Sequence, residues 1–131
     1  MSSKSINETI VSIREVLKTI RGLNVPEGIP DSISELPCVI VVPEEGTFNA
    51  DFGGADSYTV MLTLLVGKAD MPSVMNKLIP FFEEVKEKFN SKMTLNDSVD
   101  YCALTSFADV GRHEFGGIEY FGAALILSVK E

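Results

Sequence analysis

The sequence predicts an α+β fold: a mixed or mainly antiparallel β-sheet with about three helices packed on one face. Three observations lead there. Apolar residues recur at helical spacing near the start and again in the middle of the chain. Apolar runs and alternating segments of strand length lie between and after them. The elements come in blocks, in the order α, β, β, α, α, β, β, which separates helices from strands instead of interleaving them.

The first helix is expected over residues 5 to 21. Ile6, Ile10, Ile13, Leu17 and Ile20 fall on one face, Ser5 and Glu8 suit a capping box, and Gly22 is a natural stop. Glu8, Arg14, Glu15 and Lys18 make the wet face. Leu23 to Val25 suits a short strand within a turn-rich stretch punctuated by Pro26, Gly28, Pro30 and Pro37. Cys38-Val39-Ile40-Val41-Val42 is a β-branched run typical of a strand covered on both faces, and Pro43 is expected to end it.

Residues 43 to 57 read as a long loop with Glu44, Glu45, Asp51 and Asp56, no lysine or arginine, and the aromatics Phe48 and Phe52. The strand from Tyr58 to Val66 puts Tyr58, Val60, Leu62, Leu64 and Val66 on one face and Thr59, Met61, Thr63 and Leu65 on the other. Asp70 is a suitable N-cap, with Pro72 in the first turn. Pro80 then divides an apolar stripe into two helices, about 71 to 79 and 81 to 90, or kinks a single one. Asn90 to Ser98 is a connection, Val99 to Phe107 a strand, Asp109 to Gly117 a polar turn, and Ile118 to Val129 a long apolar strand.

The chain has 131 residues, 45% of them hydrophobic, which suits a single domain over 1–131 with a real core. Its net charge of -8 disfavours phosphate recognition and attraction to an anionic membrane. The start runs directly into the amphipathic segment, so no signal peptide is expected, and no apolar stretch approaches the roughly 20 residues of a bilayer span. Cys38 and Cys102 lack zinc-site spacing and sit in apolar runs; one disulfide between them stays open.

Catalytic signals are weak. His113 is the only histidine, and only Cys102 and Asp109 are near enough in sequence to serve it in a small α+β enzyme or ligand-binding domain. Glu44, Glu45, Asp51 and Asp56 follow no cation-loop pattern, and Gly53-Gly54 follows no strand that opens a helix. No cofactor and no metal are expected. The excess of apolar residues in the strands suggests instead a second sheet face covered by a neighbouring subunit.

Phe52-Gly53-Gly54-Ala55-Asp56 precedes the central strand, Leu65-Val66-Gly67-Lys68-Ala69-Asp70 links it to the next helix, and Gly117-Ile118-Glu119-Tyr120-Phe121-Gly122-Ala123 opens the last strand. With Pro30-Asp31-Ser32-Ile33 leading to Pro37, their order resembles the small tail terminator, or tail completion, proteins of long-tailed bacteriophages and prophages. The similarity spans most of the chain. It departs where that family often has a longer break between the two middle helices, marked here by Pro80 alone.

The resemblance implies a non-enzymatic virion protein at the head–tail junction, assembled in the host bacterial cytoplasm. It implies a ring, usually a hexamer, that contacts the major tail-tube protein and the head connector or stopper protein. A head-side joining or stopper protein of the neck is the alternative within the virion. DNA would pass through without specific binding, eased by the acidic charge. The expected subunit or partner contacts are Glu44, Glu45, Phe48, Phe52, Asp56, Arg112, His113 and Phe115.

Overall fold

A computed structural model describes residues 6–27, 33, 35–47, 57–68, 75–91 and 101–130. Helix α1 spans Ile6–Lys18, strand β1 Cys38–Thr47, strand β2 Ser57–Lys68, helix α2 Met75–Ser91, strand β3 Tyr101–Phe115 and strand β4 Ile118–Lys130. The strands form one sheet in the order β1-β2-β4-β3, with every ladder antiparallel.

The expectation of about three helices is corrected by these elements, and of the two sheets expected, mixed or mainly antiparallel, the ladders are those of the second. Two helices occur among the described residues, because Pro80 lies inside α2 instead of dividing it. The proline withholds the N–H that the Asn76 carbonyl would accept. Both residues are exposed, so water can take the lost bond. Leu78, Val85 and Phe89 carry the buried stripe past the interruption. Among the described residues the only parallel pairing is one bridge, Asn24 with Cys38, which is what becomes of the expected strand at Leu23 to Val25. The expected cap at Asp70 lies outside the described residues.

Both helices pack on the same face. Ile10, Ile13, Val16, Leu17 and Ile20 of α1 and its terminal turn join Leu78, Val85 and Phe89 of α2 in one cluster with the sheet. The strands contribute Val39 and Val41, then Tyr58, Val60, Leu62, Leu64 and Val66, then Ala123, Leu125, Leu127 and Val129. The alternation expected for β2 therefore holds, and its other face, with Thr59, Met61 and Thr63, is half-buried. At one end of that second face Cys38, Ile40, Leu65 and Tyr120 form a smaller cluster, packed by Ile33, Val42 and Phe115. Part of the apolar surplus assigned to a neighbouring subunit is thus covered within the chain.

Pro43 does not end β1, which continues to Thr47 through a bulge between Pro43 and Glu45. A proline is tolerated there because β1 is an edge strand. The expected turn at Asp109 to Gly117 is mostly strand: β3 runs to Phe115, and only Gly116 and Gly117 turn. Both have positive φ, 59° and 79°, the backbone that a two-residue hairpin between right-twisted strands requires.

Gly122 sits where β4 crosses a bulge in β2 between Leu65 and Gly67. A Cβ there would run into the Leu64 carbonyl, a backbone group that cannot swing aside. Gly122→Ala is therefore expected to cost about 1–3 kcal/mol, the usual range for overpacking, read as a lower urea midpoint at unchanged slope.

Candidate functional site

The β3–β4 hairpin is the part of the described surface where side-chain character and position depart most from a plain solvated sheet. Lys68, the last residue of β2, pairs with Tyr120, so Ile118 and Glu119 extend beyond β2 and, among the described residues, are paired only by β3. Val110 and Ile118 are 42% and 45% exposed, and Phe107 is 61% exposed where β3 passes the margin of α2. The Phe107 ring lies 5.2 Å from that of Phe82, centre to centre. Together with Lys86, Leu104 and Leu125 they line an open groove of about 240 Å³.

Arg112 Nη1 lies 3.1 Å from Glu119 Oε2 across the hairpin, both side chains being exposed. Such a pair orients the arm more than it stabilises it. His113 Nε2 lies 2.7 Å from the Asp109 carbonyl oxygen. A carbonyl only accepts, so Nε2 carries the proton and donates it. Asp109 has φ 53° and Gly111 φ 145°, within a bulge between Ala108 and Gly111. The imidazole therefore ties down an irregular backbone step.

The trio Cys102, Asp109 and His113 is not assembled as a catalytic set. Cys102 pairs with Val129 on the helix-covered face, whereas His113 pairs with Tyr120 on the opposite face. Along β4 the two positions are nine residues apart, about 30 Å. Asp109 meets the imidazole through its backbone oxygen. Burial pushes the Cys102 thiol up to about 12 and raises that of Cys38, which disfavours the nucleophilic thiolate. Cys38 lies on one edge strand and Cys102 on the other, facing opposite sides of the sheet. Three strand spacings alone put them about 14 Å apart, beyond disulfide reach.

The sequence-derived contact residues divide into separate groups. Glu44 and Glu45 are exposed on β1, and the Thr59 hydroxyl lies 3.3 Å from both Glu44 Oε1 and the Glu45 carbonyl oxygen. Thr59 pairs with Ser128, eight residues along β4 from Tyr120, the partner of His113. The acidic pair therefore lies about 27 Å along the sheet from His113. Arg112, His113 and Phe115 share the hairpin, but Phe115 packs on the chain's own second-face cluster. Phe48, Phe52 and Asp56 lie outside the described residues.

Sequence reasoning missed Phe107, Val110 and Ile118 as surface groups, having placed Val110 in a turn. The readable signal was Gly116-Gly117 between Phe115 and Ile118, a two-residue hairpin signature. Among the described residues no three His, Cys, Asp or Glu side chains are gathered for a metal ion, and no helix is long and apolar enough to cross a membrane. No protein-family model and no curated protein matches the chain.

Three outcomes are expected. His113→Ala leaves the fold intact but speeds amide exchange around Asp109–Gly111, with a stability loss of about 1 kcal/mol for one lost hydrogen bond. Alkylating reagents leave both thiols unmodified until the chain unfolds. Because the folded Cys102 thiol titrates above its usual value of 9.0, its contribution to stability is complete below pH 9. That contribution is lost as pH rises from 9 towards 12, which denaturant midpoints across that window will show.

Proposed function

We propose that this chain is a structural virion protein of a long-tailed phage or prophage, forming a ring that ends the tail tube and joins it to the head connector. The observation that carries this reading is the order and spacing of the segments at Phe52–Asp56, Leu65–Asp70 and Gly117–Ala123, which resemble the tail terminator family. The hairpin adds support. It carries exposed Val110 in the bulge of β3 and exposed Ile118 where β4 extends past β2, which suits a contact with a neighbouring subunit or with tail-tube protein.

A ring arises when one surface of a subunit meets a different surface of the next and the rotation closes. Six copies are the number the resemblance implies. A net charge of -8 per subunit would repel a duplex passing through the ring and keep it from lodging there. The chemistry of such a protein is packing: it needs apolar anchors and shape, and no bond-making step.

The test is electron microscopy of the protein mixed with tail tubes, alongside phage particles made without the gene. Annular particles capping the tubes, and tails of uncontrolled length without the gene, are the expected results. Tails of normal length in its absence would overturn the reading; label on the head side of the neck would move the protein to the stopper position. Ile118→Lys is expected to abolish capping while changing the subunit's own stability by no more than about 0.5 kcal/mol, as for a surface substitution.

A further inference from the structure

We propose that both outer edges of the sheet are closed against strand addition, so that copies of this chain meet through side chains and not by continuing one sheet into the next. The inference rests on the self-associating reading above and specifies the kind of contact it uses.

The topology makes edge pairing a real hazard. Four strands alternate in direction in the order β1-β2-β4-β3, so the two edge strands run opposite ways. Two copies side by side in the same orientation would set β3 of one antiparallel to β1 of the next, with their helix layers aligned. Nothing in the strand directions would stop that addition from repeating.

The sequence of β1 obstructs it. The Val39 N–H donates to the Asn24 carbonyl at 3.0 Å, away from β2. By the two-residue period of a strand, the amides of Val41 and residue 43 face the same outer side. Asn24 occupies the first of these three positions, and proline removes the donor from the third. The bulge between Pro43 and Glu45 then changes the phase, and exposed Glu44 and Glu45 put negative charge beside it. A proline, a bulge and charge are the devices by which edge strands avoid pairing.

Strand β3 is interrupted differently. Bulges at Leu104/Ser106 and Ala108/Gly111 divide its fifteen residues into regular stretches at Tyr101–Leu104, Ser106–Ala108 and Gly111–Phe115. Each bulge bends the strand, so β3 offers outward groups only in short stretches, the longest being the five residues Gly111–Phe115, and these can pair only with an edge that is itself complete.

The experiment compares the full chain with Pro43→Val and Pro43→Lys by sedimentation over a range of concentrations, with circular dichroism on dilute samples to check folding. Pro43→Val restores the outward donor and is expected to raise the self-association constant about fivefold, the worth of one added backbone hydrogen bond. Pro43→Lys restores the donor beside a charge and is expected to stay at the level of the parent chain. Amide exchange of the parent chain is followed in parallel, and Val41 is expected to exchange equally fast in dilute and concentrated samples.

Protection of the Val41 amide on association of the parent chain would overturn the proposal. So would a folded Pro43→Val variant that associates no more than its parent. Should that variant not fold, the exchange measurement on the parent chain decides. Failure of the ring reading is registered separately, as the absence of annular particles on tail tubes, and leaves the Pro43 comparison intact.

Discussion

The fold depends on one packed layer: the inward rows of β2 and β4 against the apolar stripes of the two helices. Val60, Leu62 and Leu64 lie beside Leu127, Leu125 and Ala123 in register, and all six side chains are buried. Because side chains alternate across a strand, this register also determines what the second face carries, and a slip of one residue would exchange the two. The bulge in β2 and the close approach at Gly122 fix that register further, since the backbone of one strand fits the missing side chain of the other. Leu78, Val85 and Phe89 then hold α2 in place despite the proline on its outer side.

The sequence made much of this legible, and the failures have physical causes. The α1 stripe and the two faces of β2 followed from simple periodicity, because each element has one dry side that is read every third or fourth, or every second, residue. Pro43 was misread as a strand end, and Pro80 was left between dividing two helices and kinking one, for one shared reason. Each lacks a donor, but water covers the loss: at Pro43 the N–H would have pointed off the sheet edge, and at Pro80 the Asn76 carbonyl left without its donor is on an exposed helix side. A sequence shows the missing N–H and not whether water can make up for it. The stretch from Asp109 to Gly117 looked like a turn because it is polar and holds three glycines, yet most of it is an exposed strand. Its drier face is formed by Gly111, His113 and Phe115, of which only Phe115 is a large apolar residue, so no hydrophobic alternation marks it.

The candidate surface was legible only in part for the same reason. Arg112 and His113 were singled out as turn residues, and the structure puts them on a hairpin where one pairs with Glu119 and the other braces a bulge. Phe107, Val110 and Ile118 became recognisable only once the strands were placed, since exposure depends on where α2 and β2 end. The second sheet face, expected to need a neighbour, is closed at one end by Ile33 and Phe115 and bears threonine and serine towards the other. That shifts attention from the breadth of the sheet to its projecting arm.

The placement of the two thiols has a wider consequence. Set on opposite sides of the sheet and at its two margins, Cys38 and Cys102 are too distant to be joined, and each is held protonated within an apolar layer. Neither a reducing nor an oxidising environment can therefore make or break a disulfide within the folded subunit. The fold thus holds together without a disulfide in either medium.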